Sequence, residues 1–375
     1  MNIIESTRQY EAWLAKQTVV IAKDLRKKKE LMVKDAFRFF RGSFYRWVQL
    51  WPQMGAELND APAIRCVGDV HLENFGTWRD SEGRLVWGIN DFDEAYRLPY
   101  TFDLVRLAAS IILARNANLI SSDPKEGCAQ MFAGYKASFE AGGRPLVLAE
   151  DHMELRQMAL SSLANPADFW KKLGEERTSK EDSKNAGASK QFIGILNRSL
   201  PVGCEKSRIL PRVAGVGSLG RPRFVAIAEL KGGLVAREAK ALVPSACVWA
   251  EGIKQIDESL YYMIVRRAVR MPDPFLDIYK RFIVRRLAPD CVRIELAKCK
   301  EERNDLLLLN SMGWETANIH LGTRKSREAV MNHLKGLTAD TVFGVAERMV
   351  EETVKEWEEF VGEGVGKERG RNFEF

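Results

Sequence analysis

The stretch CVGDVHLENFG, residues 66–76, decides the fold of this chain together with WGINDFDE at residues 87–94. Two short apolar runs, at residues 64–67 and 85–89, each lead to an acidic residue, and a polar turn lies between them. This pattern predicts two strands joined by a hairpin-like turn, with carboxylates clustered at one end.

The polar residues at these strand ends suit phosphoryl transfer. Asp69 can accept a proton from a hydroxyl group, and the side chains of Asn74 and Asp91 offer the hard oxygen ligands that Mg²⁺ prefers. Phosphoryl transfer is mostly a matter of positioning and charge neutralisation. The segment is therefore a candidate catalytic site.

The spacing G-D-x-H-x-x-N followed by N-D-F resembles the catalytic core of the protein kinase-like superfamily, nearest to its aminoglycoside phosphotransferase branch. The resemblance implies that Asp69 is the catalytic base and that Asn74 and Asp91 are metal ligands. It also implies that Asp103, in the segment TFDLVRLA, braces the catalytic loop.

Two neighbouring residues have less defined roles. His71 stands where the superfamily keeps a histidine that hydrogen-bonds within the loop, so we expect a structural role. Asp93 is either a second metal neighbour or a structural residue of an acidic turn. The aromatic run at residues 37–45 is expected to pack under the catalytic loop. Within it, Arg41 could instead contact a phosphate group or the catalytic acids.

A metal-dependent phosphoesterase is an alternative, because those enzymes also carry Asp-x-His at a strand end. They need further histidine ligands downstream. This chain has four histidines, and His152 and His333 lack the expected Gly-Asn-His context. The sequence therefore favours the phosphotransferase hypothesis.

The composition indicates a soluble globular protein. Apolar residues make up 46% and charged residues 29% of 375 positions, which is enough chain for one large or two ordinary domains. No apolar run is long enough to cross a membrane, and the scattered cysteines fit a reducing cytoplasm. A net charge of +6 is too modest to indicate a nucleic-acid partner. The sequence leaves the oligomeric state unknown.

A second constellation, VAGVGSLGRPRFVAIAEL at residues 213–230, is rich in glycine. A dinucleotide-binding fold would need a helix after the third glycine, but Pro222 and a β-favouring run follow instead. The pattern predicts strands around a glycine turn, the kinase-type flap over phosphates. The candidate phosphate-binding residues of this flap are Gly215, Gly217, Ser218 and Gly220.

The superfamily places a phosphate-binding lysine on the next strand. Here the usual spacing lands on Arg237, while Lys240 stands three residues on, where a regular strand points to the other face. Spacing favours Arg237 and chemistry favours Lys240. The glutamate that partners this cation in the superfamily could be Glu238, Glu251 or Glu258.

The same parts occur in a rotated order, since ordinary kinases place the glycine flap before the catalytic loop. The sequence therefore predicts an α+β, circularly permuted, kinase-like fold with a small β-rich lobe and a large helical lobe. The expected parts are N-terminal helices at 1–60 that pack on the large lobe, the catalytic segment of that lobe at 61–173, a linker at 174–205, the nucleotide-binding small lobe at 206–290, and C-terminal helices of the large lobe at 291–375.

The arrangement also resembles an uncharacterised bacterial family, domain of unknown function 2252. The shared features are FRG at 40–42, residues 68–76, NDFDE at 90–94, GVGS at 215–218 and DPFL at 273–276. That family brings no established substrate. The expected activity is an ATP- and Mg²⁺-dependent phosphotransferase acting on a small hydroxylated molecule. A nucleotide-binding pseudokinase or an AMP-transferring enzyme is the second hypothesis.

Overall fold

The computed structural model describes residues 1–148, 151–175, 190–253, 259–294 and 302–367. Within these ranges the chain is an α+β protein, in which helices surround three small antiparallel sheets. No helix among the described residues has the length and apolar character to span a membrane.

Four helices form the N-terminal part. They are α1 (Ile3–Gln17), α2 (Ala22–Met32), α3 (Ala36–Gly42) and α4 (Phe44–Met54). Asn2 caps α1 and Asp35 caps α3, because each side chain accepts a hydrogen bond from a first-turn N–H group. Their apolar faces join the main hydrophobic core.

The acidic segment contains four short strands. They are β1 (Ala63–Cys66), β2 (Phe75–Arg79), β3 (Leu85–Ile89) and β4 (Tyr96–Pro99). The predicted hairpin between the first two apolar runs is wrong, because β1 pairs with β4 and β3 pairs with β2. The run FGTWR of β2 is itself a strand and takes the place beside β3.

The chain then continues mainly as helices. These elements are α5 (Tyr100–Asn116), α6 (Pro124–Ala141), the short strand β5 (Leu146–Val147), α7 (Met153–Ser161), α8 (Pro166–Glu175) and α9 (Lys190–Ser199). Part of the segment assigned to a linker, residues 190–199, is thus a helix, while residues 176–189 lie outside the described residues.

A five-stranded antiparallel sheet follows, in the order β6-β7-β8-β10-β9. Its elements are β6 (Glu205–Pro211), β7 (Arg223–Leu230), β8 (Gly233–Ala241), the helices α10 (Ala246–Ala250) and α11 (Ser259–Arg267), and then β9 (Asp277–Tyr279) and β10 (Phe282–Leu287). The β-favouring run predicted after the glycines is β7, which continues through a tight turn at Lys231 and Gly232 into β8.

Helices cover both faces of this sheet. Phe192 and Leu196 of α9 pack on Phe224 and neighbours, and Leu173 of α8 packs on Val225 on the opposite face. Because β-strand side chains alternate between faces, two small cores form, one on each side. Helix α8, at the end of the predicted segment 61–173, therefore packs on the five-stranded sheet.

Three α-helices form the C-terminal part of the described chain. They are α12 (Glu302–Leu321), α13 (Arg327–Leu334) and α14 (Ala339–Lys367). Helices α6 and α12 cross in backbone contact, since a Cβ on Gly313 would lie 1.8 Å from the carbonyl oxygen of Met131. Most of the described part of segment 291–375, for which the sequence predicts helices, is thus helical, and residues 295–301 and 368–375 lie outside the described residues.

Candidate active site

The loop after β1 is held by Asp103, which lies in the first turn of α5. Its carboxylate accepts hydrogen bonds from the N–H groups of Val67 (2.7 Å) and Gly68 (2.9 Å). Nε2 of His320, on α12, lies 2.9 Å from the same carboxylate. Gly68 has a φ of +83°, and a Cβ there would lie 2.2 Å from the carbonyl oxygen of Glu94, so a side chain cannot be accommodated. These contacts fix the start of the loop.

Asp69 projects from this loop toward a buried arginine. Nε and Nη2 of Arg106 donate to Oδ1 of Asp69, with 2.9 Å for Nε. The guanidinium of Arg106 is enclosed by three aromatic rings, whose centres lie 3.8 Å (Phe40), 4.9 Å (Phe44) and 4.8 Å (Trp47) away. Burial raises the pKa of Asp69 to about 6, although Arg106 opposes the shift. Asp69 is therefore ionised at neutral pH and close to the pKa that suits a general base.

His71 and Asn74 shape the loop around Asp69. The N–H of His71 donates to Oδ1 of Asn74 (2.7 Å), and the N–H of Glu73 donates to Nδ1 of His71 (3.1 Å). Burial, with the charge of Arg41, holds the pKa of His71 well below its ordinary value, so its imidazole is neutral. An amide oxygen has two lone pairs, so Asn74 can still offer one to a cation.

Lys240, on β8, lies beside both acidic residues that follow β3. Its Nζ is 3.4 Å from Oδ1 of Asp91 and 2.7 Å from Oδ1 of Asp93. Burial would raise the pKa of Asp91, but Lys240 and two arginines outweigh it and hold that pKa below its ordinary range. Burial and the charge of Asp91 raise the pKa of Asp93. The lysine thus places one positive charge beside two carboxyl groups, of which that of Asp93 is buried and that of Asp91 is partly exposed.

Arg237 lies on the opposite face of β8. Its guanidinium is 4.6 Å from the centre of the Phe275 ring, and its Nη1 donates to the carbonyl oxygen of Ala236. Residues three apart on a regular strand point to opposite faces, and β8 has no irregularity between Arg237 and Lys240. The structure therefore brings Lys240 to the acidic residues and leaves Arg237 away from them.

Glu238 shares the face of Lys240 but pairs with arginines. It forms ion pairs with Arg285 (2.9 Å), Arg223 (3.2 Å) and Arg212. Burial would raise the pKa of Glu238, but these arginines hold it well below its ordinary value. The other two glutamate candidates lie elsewhere: Glu251 accepts a hydrogen bond from Tyr96, and Glu258 lies outside the described residues.

The glycine segment, residues 212–222 between β6 and β7, folds down onto Asp69. A Cβ on Gly217 would lie 3.6 Å from Oδ2 of Asp69 and 3.1 Å from the carbonyl oxygen of Arg41. Gly215 has a φ of +75°, which favours glycine. The acidic residues and the glycines therefore face each other although the glycine segment follows the catalytic loop in sequence.

Hydrogen bonds hold the glycine segment in this position. The carbonyl oxygen of Gly220 accepts from the N–H of Ile21 (2.9 Å), at the start of α2. Oγ of Ser218 accepts from Nη2 of Arg223 (2.7 Å). Ser218 thus lines the cleft but is directed toward the sheet.

Arg221 forms a second anchor, at the end of the glycine segment. Its Nη2 lies 2.9 Å from Oε1 of Glu94 and its Nη1 lies 3.4 Å from Oδ2 of Asp93. Glu94 also accepts from the N–H of Ala246 (2.7 Å), at the start of α10. Asp93 is therefore bound by Arg221 as well as Lys240, which is a structural arrangement of its carboxylate.

Three further cations reach the cleft from outside both predicted segments. Lys28, on α2, is 8% exposed, and its Nζ lies 3.3 Å from the carbonyl oxygen of Gly217. Burial lowers the pKa of Lys28 to about 8, and among the described residues no carboxylate pairs with it. Arg41 (2.7 Å) and Arg293 (3.2 Å) share the single carboxylate of Glu73. The cleft therefore carries positive charge that its own acids do not fully balance.

Two residues of the cleft, Lys28 and Arg106, were not among the sequence-predicted site residues. Lys28 belongs to the run RKKKE, which is typical of a solvent-exposed helix face. Arg106 has a signal, because apolar residues surround it and Asp103 in α5, and a charge in such a place needs a partner.

The space between the two segments is small. Asp69, Asp91, Gly217 and Lys28 line one cavity of about 50 Å³, which is room for a few water molecules. A triphosphate is larger than this. A nucleotide can therefore enter only if the glycine segment moves away from Asp69.

The carboxylates do not form a closed metal cage. Among the described residues, the one group of three His, Cys, Asp or Glu ligand atoms within 4.8 Å of one another is Cys66, Asp103 and His320. That group is fully buried, and Asp103 already accepts hydrogen bonds at both oxygens. Asp91 and Asn74 can supply two oxygen ligands, so a metal there would need further ligands from a substrate or water.

Together the fold and the cleft define an α+β protein with an acidic loop and a glycine segment facing one another. Residues 21–191 match a family described as "Uncharacterized protein conserved in bacteria (DUF2252)". The match includes Asp69, Asn74, Asp91 and Asp103 and ends before the five-stranded sheet begins, so it supports the predicted resemblance for that part of the chain. No curated protein and no solved structure matches the chain significantly.

Proposed function

We propose that this protein is an ATP- and Mg²⁺-dependent phosphotransferase with a circularly permuted kinase-like fold, acting on a small hydroxylated molecule. One observation carries the proposal: Gly217 faces Asp69 across a cavity that Asp91 also lines, while Lys240 contacts Asp91 from the neighbouring sheet. These are the positions that a phosphate flap, a base, a metal ligand and a phosphate-binding lysine need.

In this proposal Asp69 orients or deprotonates the acceptor hydroxyl. Its carboxylate is ionised at neutral pH, and Arg106 fixes its direction by donating two hydrogen bonds to one oxygen. The other oxygen, Oδ2, faces Gly217 and the cavity. Asp69 can therefore accept a proton without losing its contact with Arg106.

The cations of the cleft hold the phosphate groups. Lys28 has no carboxylate partner among the described residues, and Arg41 and Arg293 have one carboxylate between them. A polyanion beside Lys28 would compensate for the burial that now disfavours its charged form. Lys240 neutralises the charge on the metal side of the cleft.

Asp91 and Asn74 are the proposed protein ligands of Mg²⁺. When bound, Mg²⁺ would supply neutralisation of the phosphate charge, with substrate oxygens completing its coordination. The lowered pKa of Asp91 keeps this ligand ionised. Asp93, bound by Lys240 and Arg221, supports the site from behind.

The phosphoesterase alternative receives no support from the histidines. His71 lies in the loop, His320 is buried against Asp103, His333 contacts Tyr100, and His152 begins α7. A dinuclear site needs such ligands to converge, and these four do not.

Ligand-induced stabilisation tests the proposal, because a ligand that binds only the folded protein raises its melting temperature. We expect ATP with Mg²⁺ to raise the melting temperature more than ATP with EDTA. Asp91→Asn removes the metal-dependent part. Asp168→Asn, an exposed acid on α8, serves as the matched control and leaves it intact.

Transfer is then tested with γ-labelled ATP and a bacterial small-molecule extract. We expect label in the small-molecule fraction with the natural protein and none with Asp69→Asn. A parallel reaction with α-labelled ATP distinguishes the alternative, since label from the α-phosphate in the small-molecule acceptor, with release of pyrophosphate, would indicate AMP transfer. Absence of Mg²⁺-dependent ATP binding, or an unchanged response in Asp91→Asn, would refute the proposal.

A further inference from the structure

A buried chain of three hydrogen-bonded side chains connects helices α6, α12 and α5 to the loop that carries Asp69. The hydroxyl oxygen of Tyr135, on α6, lies 2.9 Å from Nδ1 of His320 on α12. Nε2 of His320 lies 2.9 Å from Oδ2 of Asp103 on α5. None of the three residues is more than 1% exposed. The chain therefore lies in the core and ends at the carboxylate that holds the loop.

The surroundings of Asp103 assign a direction to each hydrogen bond. Its Oδ2 accepts from the N–H of Val67 and its Oδ1 from the N–H of Gly68, and such bonds favour the ionised carboxylate. An ionised carboxylate only accepts, so Nε2 of His320 carries a proton and donates. Nδ1 can then accept from the hydroxyl group of Tyr135. Tyr135 thus fixes the tautomer in which His320 donates to Asp103.

The thiol of Cys66 lies beside this chain and does not convert it into a metal centre. Its Sγ donates to the carbonyl oxygen of Leu98 at 3.4 Å, and burial holds the pKa of the thiol well above its ordinary value. A metal would have to displace the proton of the thiol and the hydrogen bond from His320 to Asp103. The group is therefore a hydrogen-bond network.

The N–H groups that Asp103 holds come immediately before Asp69 in sequence. Because the peptide unit is planar, fixing Val67 and Gly68 also fixes the backbone from which the Asp69 side chain projects. Arg106, three residues after Asp103 on the same helix, then orients the carboxylate of Asp69, with 2.9 Å between Nε and Oδ1. A shift of Asp103 would therefore displace Asp69 relative to Arg106 and to an acceptor hydroxyl.

We propose that His320 is a positioning residue of the phosphotransferase site. His320 does not line the cavity that contains Asp69, so it acts through Asp103, to which it donates a third hydrogen bond. The bond keeps Asp69 at the distance and angle that proton transfer needs, since a misplacement of about 1 Å can lower a rate about 100-fold. The inference rests on the proposed function, because a turnover is what the loop controls.

Kinetics of label transfer from γ-labelled ATP to the small-molecule extract test this role. His320→Leu removes the donor to Asp103 and should lower the rate at saturating ATP about 10- to 100-fold. Its apparent KM for ATP should stay within about twofold, because other residues bind the nucleotide. His320→Gln offers an amide N–H near the position of Nε2 and should recover most of the rate.

A parallel tyrosine–histidine pair provides the matched control. The hydroxyl oxygen of Tyr100, also on α5, lies 2.9 Å from Nδ1 of His333 on α13, and the Tyr100 ring stacks on Tyr135 with centres 6.0 Å apart. Nε2 of His333 faces the exposed Asp60 at 3.8 Å, so this pair is directed to the surface and not to Asp103. His333→Leu should therefore leave the rate and the KM unchanged, whatever its melting temperature.

Amide hydrogen exchange follows the loop without any substrate. Asp103 accepts from the N–H groups of Val67 and Gly68, so these amides should exchange slowly in the natural protein. His320→Leu should speed their exchange about tenfold or more, the effect of weakening bonds to a charged group. His333→Leu should not change it.

The outcomes separate this inference from the proposed function. Unchanged exchange of the two amides in His320→Leu, or a rate equal to that of His333→Leu, would overturn the inference. If the natural protein transfers no label, the proposed function fails, and the exchange of the two amides still decides whether His320 holds the loop. If His320→Leu does not fold, Tyr135→Phe takes its place. It should be slower than Tyr100→Phe, and equal rates would count against the inference.

Discussion

The Nζ atom of Lys240 lies 3.4 Å from Oδ1 of Asp91, although the two residues are 149 positions apart in sequence. The contact joins the five-stranded sheet to the acidic segment. It also explains why two carboxyl groups as close as Asp91 and Asp93 are tolerated at a buried site, because an unpaired buried charge is costly. The same lysine is the natural candidate for holding phosphate.

Replacement of Lys240 therefore gives the first prediction. Lys240→Met should weaken Mg²⁺–ATP binding about 10- to 100-fold, the effect of losing a bond to a charged group. Arg237→Met, on the opposite face of the same strand, should bind ATP as the natural protein does. Titration calorimetry measures both affinities, with circular dichroism as a check on folding. A larger loss of ATP affinity in Arg237→Met than in Lys240→Met would indicate that Arg237, and not Lys240, binds the phosphate groups.

Much of the small sheet could be predicted, because its signals are local. The β-favouring run at residues 224–227 and the following Lys-Gly-Gly turn are enough to specify a hairpin. The choice between Arg237 and Lys240 could not be made, since it depends on which face of β8 meets the acidic segment. That is a property of the packed sheet.

Features of the site that depend on contacts between distant parts of the chain could not be predicted from local sequence patterns. The pairing of β1 with β4 could not be predicted, because β4 is a four-residue strand, YRLP, whose sequence carries an arginine and a proline and is not an apolar run. Lys28 looks like any other residue of a charged helix face, and its burial arises only when α2 packs on the glycine segment. The motif residues Asp69, Asn74 and Asp91 were identifiable because they lie close together in sequence.

Gly217 gives the second prediction. A valine there would direct methyl groups between the carbonyl oxygen of Arg41 (3.1 Å from the Cβ position) and Asp69 (3.6 Å). Gly217→Val should therefore abolish ATP binding by filling the cleft, while the melting temperature changes by only a few degrees. Gly233→Ala is the control, since its Cβ would meet only one atom, at 3.7 Å. Thermal shift with Mg²⁺–ATP compares the two, and undiminished binding in Gly217→Val would argue against a phosphate flap.

The pH dependence of activity gives the third prediction. Because the pKa of Asp69 is raised to about 6, turnover should fall as the pH drops through 6 and the base becomes protonated. Arg106→Gln removes the cation that stabilises the ionised form of Asp69. The acidic limb of the pH–rate profile, where turnover falls with decreasing pH, should therefore move to higher pH. The variant should also lose about 3–5 kcal/mol of stability, because Asp69 is left without its partner.

A buried ion pair whose members do not line the cleft provides the control for Arg106. Arg46 and Glu356 lie 2.6 Å apart, and Arg46→Gln should lower stability while leaving the acidic limb unmoved. Initial rates between pH 5 and 8, at saturating ATP, measure the limb. Coincident profiles for the natural protein and Arg106→Gln would show that another group is the base.

Lys28 gives the fourth prediction, which concerns stability alone. Burial lowers its pKa from 10.5 to about 8 in the folded protein, so the folded protein releases this proton more readily than the unfolded chain. Because the unfolded chain holds this proton more tightly, the free energy of unfolding rises with pH between 8 and 10.5. The stability present above pH 10.5 is therefore lost as the pH falls toward 8. Below pH 8 the full cost of burying the charge, about 3 kcal/mol, is present.

Lys28→Met removes that charge and keeps a side chain of similar length. The variant should be more stable than the natural protein near pH 7, and the difference should shrink by about half at pH 9.5, because the folded protein has by then released the Lys28 proton while most of the unfolded chain still holds it. Lys27→Met, at an exposed neighbouring position, should show no such trend. Urea unfolding at the two pH values measures the free energies. A difference that stays constant with pH would mean that Lys28 is solvated in the folded protein, and the cleft would then hold no strained cation ready to receive phosphate.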